Sequence, residues 1–229
     1  MKLFVIEGVD GAGKSTQIKL LRDFFSLKGY NCEYLHFPRT DAPYFGELVA
    51  RFLRGEFGSL NEVNPYLVAM LYAGDRKDAA SLINKWLGEG KVVLLDRYTY
   101  SNIAYQCAKL NSVDEQDKLM NWILSLEFTH FSIPRPDLNI FLDVPQHFTE
   151  KKLSGSRTGE DRSYLNGTRD IHEENIDFQS KVRDIYLRVA KMDELLEVVD
   201  CSNENGDMLL PEKIFTKITK LLSSRKLIR

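Results

Sequence analysis

An α/β fold is predicted for this 229-residue chain by five short apolar runs, by helix-period stretches between them, and by a glycine-rich turn joining the first run to the first helix. The expected architecture is a five-stranded parallel sheet with helices on both faces, three layers in all, in one domain over 1–229 with a mobile lid at about 153–169. The strands are read at Leu3–Ile6, Cys32–His36, Val92–Leu95, Leu138–Leu142 and Leu196–Val199, each nearly continuous in apolar residues because a parallel sheet is covered on both sides. Helical periodicity marks Gln17–Leu27, Tyr44–Leu53, Asn64–Leu87, Ser101–Leu110, Glu115–Glu127, Ile176–Leu195 and Pro211–Leu222. Between Leu153 and Arg169 the apolar periodicity fails, and Ser154-Gly155-Ser156-Arg157-Thr158-Gly159-Glu160-Asp161-Arg162 is polar and mixed in charge, which suits a flap.

The turn after the first strand reads Gly8-Val9-Asp10-Gly11-Ala12-Gly13-Lys14-Ser15-Thr16, the spacing of a phosphate-binding P-loop. Glycines are needed there because backbone N–H groups must approach phosphate oxygens closely. Lys14 is expected to reach the β- and γ-phosphates of ATP, and Ser15 the Mg²⁺ ion. The fold class is therefore a P-loop NTPase.

Lys and Arg number 31 against 33 Asp and Glu, a net charge of −2, so no global field draws the chain to nucleic acid or to an anionic membrane. Cys32, Cys107 and Cys201 are odd in number and far apart, which fits reduced thiols and a cytoplasmic setting better than a disulfide framework or a metal site. Met1-Lys2 leads straight into the first strand, leaving no room for a signal peptide, and no apolar run reaches the length of a membrane span. His36, His130 and His147 lack metal-ligand spacing and read as structural.

A P-loop alone does not separate kinases from nucleotide-dependent switches. The switch reading lacks a D-x-x-G outside the P-loop, and Ala190-Lys191-Met192-Asp193 matches a guanine-specificity motif only in part and precedes a strand. At Lys91–Tyr98 the pair Asp96-Arg97 sits at the carboxyl end of a buried strand, the side of an open α/β sheet on which ligands bind. Asp96 is placed to hold Mg²⁺ through water and Arg97 to bridge phosphates, although such a pair by itself is also a common structural ion pair.

Together these segments resemble the thymidylate kinases. The P-loop with Asp10 inside it, Phe37-Pro38-Arg39 after the second strand, Leu71-Tyr72-Ala73-Gly74-Asp75-Arg76, Asp96-Arg97-Tyr98-Thr99-Tyr100-Ser101-Asn102-Ile103-Ala104-Tyr105, and Arg135-Pro136-Asp137-Leu138 occur in that family's order over nearly the whole chain. The resemblance implies transfer of the γ-phosphoryl of ATP to dTMP in dTTP synthesis, with Mg²⁺, in a homodimer; the alternatives are another nucleoside or nucleoside-monophosphate kinase, or a nucleotide-dependent switch.

The expected dTMP site follows. Tyr72 and Arg76, four apart, share a helix face, so a ring can stack on a pyrimidine while a guanidinium donates to its O4, a pattern that favours thymine or uracil over cytosine. Tyr98, Asn102 and Tyr105 fall on one stripe of the next helix. The resemblance puts Asn102 at the base, Tyr105 against the ribose 2′ position, Arg39 and Phe37 in the dTMP site with Arg39 on its phosphate, and Asp10 near the acceptor. It also implies that a basic residue aids catalysis either at the position of Gly11 or in the lid. Gly11 carries no charge, so Arg157 and Arg162 are the lid candidates, Arg169 a weaker third. Asp170 and Glu173 open the helix that follows and are expected to approach the dTMP sugar, although acids in a first helical turn are also ordinary dipole partners.

Overall fold

The computed structural model describes residues 2–60, 62–154, 165 and 176–228. Five parallel strands, β1 (Lys2–Glu7), β2 (Cys32–His36), β3 (Val92–Asp96), β4 (Leu138–Asp143) and β5 (Leu196–Asp200), form one sheet in the order β2-β3-β1-β4-β5. Around it stand α1 (Lys14–Leu27), α2 (Phe45–Leu53), α3 (Pro65–Gly88), α4 (Thr99–Cys107), α5 (Val113–Leu124), α6 (Gln146–Ser154), α7 (Ile176–Ala190) and α8 (Pro211–Ser224).

Side chains alternate across a strand, and the central strands use both faces. Phe4, Ile6 and Leu94 join the cluster built with Ile18, Leu21 and Phe25 of α1 and with α4, α5, α7 and α8. Leu3, Val5, Val93 and Leu95 join the opposite one, with Ala79, Ala80 and Ile83 of α3. A smaller cluster of Val49, Phe52, Leu53 and Val68 holds α2 on α3.

Several boundaries differ from the sequence reading. α1 begins at Lys14, and α4 begins at Thr99 and ends at Cys107. The helix expected over Glu115–Glu127 is an α-helix only to Leu124; Ser125–His130 is a π-helical turn. The helix expected to run to Leu195 stops at Ala190, and Gln146–Ser154, too polar to show an apolar stripe, is an additional helix.

The register sets Ile6 and His36 beside Asp96. The turns after β1, β2 and β3 therefore emerge together at one carboxyl edge, and they carry the P-loop, Arg39 and Arg97.

Candidate active site

The P-loop is shaped by two glycines with left-handed backbone, Gly11 at φ 79° and Gly13 at φ 80°, which residues with a Cβ rarely adopt. Val9 and Ala12 are buried beneath it, while Ser15 and Thr16 are exposed in the first turn of α1. Lys14 Nζ folds back to donate to the carbonyls of Gly8 and Val9, at 3.3 and 3.2 Å. Burial, with the nearby Arg97 charge, lowers its pKa to about 8.

Asp10 joins the P-loop to the end of β3. It accepts from Arg97 Nη2 at 2.6 Å and from the Tyr105 hydroxyl at 2.7 Å, while Gln179 of α7 donates to its carboxylate at 3.0 Å and accepts from its backbone N–H at 3.2 Å. Arg97 also donates to Tyr105 Oη and Ser101 Oγ, at 3.1 and 3.2 Å. Its φ of 65° is unusual for a residue with a side chain and is held by a 3.0 Å bond from its N–H to Ile6 O. Burial keeps the Tyr105 phenol protonated by raising its pKa well above the usual range.

Glu7 organises the same turn from below. Its fully buried carboxyl accepts from the N–H groups of Tyr98 and Ser101 at 3.0 and 3.3 Å, from Ser101 Oγ at 2.5 Å and from Tyr186 Oη at 2.9 Å. It thus caps the N-terminus of α4, which has no side-chain cap of its own. Burial raises its pKa in spite of these bonds.

Asp96 is buried, and its pKa is lowered: burial works against the charge, but the bond from His36 and the charges of Lys14 and Arg97 outweigh it. Oδ2 lies 3.3 Å from His36 Nδ1, whereas Oδ1 is buried with no partner among the described residues. An orphaned carboxylate oxygen within reach of the Lys14 charge at the start of α1 suits a hydrated cation. His36, expected to be merely structural, orients this carboxylate.

Arg39 is fixed by Asp75. Its N–H and Nε donate to the two Asp75 carboxylate oxygens at 2.9 and 2.8 Å, and Nη2 donates to the Asp75 carbonyl at 2.8 Å. Phe37 is buried beside the turn, its ring 5.7 Å from that of Tyr98. Tyr98 leaves the expected stripe. It precedes α4, is buried, and donates to Pro134 O at 3.2 Å.

Tyr72 is half-buried against the α2–α3 cluster. Arg76, one turn on, is buried, and its guanidinium pairs side-on with Glu127 at 2.7 and 2.6 Å. Asn102 Nδ2 donates to Ala69 O at 3.0 Å and to Glu127 at 2.9 Å. Of the residues that support the predicted ones, Asp75 lies inside the Leu71–Arg76 motif but is given no role there; Glu7 and Glu127 would have been marked only by the rarity of buried acids near a binding motif, and Gln179 by no signal in the sequence. Arg157, Arg162, Arg169, Asp170 and Glu173 lie outside the described residues.

Residues 6–209 match the thymidylate kinase family model. The chain belongs to the thymidylate kinase family. It is 34% identical over 208 residues to a probable thymidylate kinase of Pyrococcus horikoshii, covering 89% of this chain and 90% of the relative. It is 33% identical over 189 residues to the thymidylate kinase of Mycobacterium tuberculosis, covering 82% and 85% of the two chains. The solved thymidylate kinase of Candida albicans superposes with a TM-score of 0.73 at 25% identity, over 98% of this chain and 92% of that one. Membership of this family makes the chain a phosphotransferase of the P-loop nucleotide-kinase type.

Proposed function

We propose that the chain transfers the γ-phosphoryl group of ATP to dTMP, giving ADP and dTDP, as one kinase domain. The observation that carries this reading is the junction of Asp10, Arg97 and Tyr105, which ties the phosphate-binding turn to the helix that bears Asn102. Family membership and the order of the motifs support it.

In this account the P-loop amides and Lys14 hold the ATP phosphates. Arg97 and Arg39 set the dTMP phosphate in line, and a dTMP phosphate oxygen attacks the γ-phosphorus while the bond to the β,γ-bridging oxygen breaks. That phosphate is already anionic, so no strong general base is required. Asp10 keeps Arg97 aimed and faces the acceptor. Ser15 and Asp96, the latter with its orphaned Oδ1, are the residues that would hold Mg²⁺, which supplies charge neutralisation at the phosphates. Tyr72 stacks on the base, Arg76 and Asn102 read its edge, and Tyr105 crowds the ribose 2′ position. Arg157, Arg162, Asp170 and Glu173 complete the lid and sugar contacts as read from the sequence.

A homodimer is the family's usual state, and the exposed Leu67 and Met70, three apart on α3, offer an apolar stripe for a second copy. No helix among the described residues is long and apolar enough to cross a membrane, and none of the three cysteines is in a disulfide, which supports a reducing, cytoplasmic setting.

The test is ADP formation from ATP and Mg²⁺ with and without dTMP. Strong dependence on the acceptor is expected; ADP formation at one rate in both would point instead to a nucleotide-dependent switch.

A further inference from the structure

We propose that Glu127 fixes the donor and acceptor pattern with which Arg76 and Asn102 read the pyrimidine, and so acts as a specificity-determining positioning residue. The inference rests on the dTMP reading above.

Glu127 is 0% exposed, and the four donors it binds come from residues at most 2% exposed. Oε1 accepts from Arg76 Nη2 and Asn102 Nδ2, at 2.6 and 2.9 Å; Oε2 accepts from Arg76 Nε and Thr99 Oγ1, at 2.7 and 2.8 Å. The carboxylate is thus saturated, and every partner is held in one orientation. It is presented by the π-helical turn Ser125–His130, a wider turn of the kind that recurs at functional sites.

The consequence for Asn102 is chemical. Its amide nitrogen faces Glu127 and the Ala69 carbonyl, two groups that only accept, so the nitrogen and oxygen ends cannot be exchanged. Oδ1 is left buried without a partner among the described residues, an acceptor awaiting a donor. Arg76 has spent Nε and Nη2 on Glu127, and Nη1 makes no bond to a described residue, so it remains a donor. Because Arg76 Nη2 and Asn102 Nδ2 share one carboxylate oxygen, the free donor and the free acceptor belong to neighbouring groups. Thymine and uracil offer an acceptor O4 beside a donor N3–H; cytosine offers the reverse. The carboxylate therefore selects the first pair by fixing the polarity of both readers, with no contact to the base required of itself.

Glu127→Gln puts an NH₂ group where one oxygen stood. If it faces Arg76 and Asn102, the Asn102 amide turns over and shows the base a donor. The experiment is kcat/KM for dTMP and for dCMP, with ATP and Mg²⁺, in the wild type, Glu127→Gln and Glu127→Asp. Glu127→Asp keeps the negative charge beside Arg76 but withdraws the oxygens by one methylene. The expected result is a fall in the dTMP-to-dCMP ratio of at least tenfold for Gln and threefold for Asp, carried by the KM for dTMP, with the KM for ATP within twofold of wild type. A purely structural role would lower both substrates alike and leave the ratio unchanged, and that result overturns the inference. Should Glu127→Gln not fold, Glu127→Asp decides alone. A wild type that uses dCMP as well as dTMP overturns the dTMP reading and this inference together; a selective wild type whose variants keep its ratio overturns the inference only.

Discussion

Gly46, buried in the first turn of α2, has no place in any nucleotide-binding motif, yet the structure makes it critical for Arg39. A Cβ at this position would lie 2.0 Å from Arg39 O and 3.1 Å from both Arg39 C and Ala42 Cβ. Carbon–oxygen contacts close only to roughly 3.3 Å, so Gly46→Ala must displace the Arg39 backbone or α2 by on the order of 1 Å. Arg39 O accepts from Ala42 N at 2.8 Å, and the Arg39 side chain is tethered to Asp75, so the shift disturbs the turn and the guanidinium together. A misplacement of about 1 Å in a substrate-positioning group costs about a hundredfold in rate. The expected loss in kcat/KM for dTMP is therefore about a hundredfold, or about 2.7 kcal/mol at 1.36 kcal/mol per decade, with the KM for ATP nearly unchanged. Gly88→Ala is the control: nothing lies within 4 Å of its added Cβ, and it should leave kinetics untouched. Initial-rate measurements over dTMP and ATP concentrations decide the matter. A Gly46→Ala enzyme within threefold of wild type for dTMP would refute the view that this glycine sets Arg39.

Three further outcomes are expected. Tyr105→Ala should raise activity on UMP relative to dTMP, whereas Tyr105→Phe, which keeps the ring, should preserve the discrimination; an unchanged ratio in the alanine variant would mean that Tyr105 only packs. Arg157→Ala and Arg162→Ala, separately and together, should show at least one drop in kcat of about a hundredfold with little change in the KM for dTMP, and a double variant at near wild-type rate would leave Arg97 as the source of the charge. Lys109 stands over the Phe52 ring at 4.7 Å with a buried Nζ that lacks a hydrogen-bond partner among the described residues, and burial lowers its pKa from 10.5 to about 7. The unfolded chain then holds this proton more tightly, so stability rises with pH between about 7 and 10.5 and the penalty is nearly full at pH 7. Lys109→Met should raise Tm at pH 7 by roughly 4–8 °C, for a gain of about 2 kcal/mol after allowing for the lost ring contact, and the advantage should vanish by about pH 10. A gain that does not depend on pH, or none, would contradict the assignment.

The parts of the fold legible in the sequence are those with a period or a motif. The five strands were visible because both faces of a parallel sheet must be apolar, and each gained only a residue or two at its ends apart from β2, which matched. The P-loop and Asp96-Arg97 were legible because phosphate chemistry demands particular residues at fixed spacing. What the sequence hid is three-dimensional pairing. Asp75 beside Arg39, Glu127 beside Arg76 and Glu7 beside Ser101 are 36, 51 and 94 positions apart, and an acid in a helix or at a strand end reads as a solvated charge until its partner is known. The π-helical turn was missed because its apolar spacing continues that of α5.

The central claim is that the acceptor is a thymine deoxynucleoside monophosphate. Its most direct test is ADP release by the purified enzyme, with ATP and Mg²⁺, over a panel of nucleoside monophosphates. The account predicts dTMP first, dUMP weaker, and dCMP, AMP and GMP near background. A preference for a purine monophosphate would contradict it, because Tyr72, Arg76 and Asn102 would then not form the acceptor pocket.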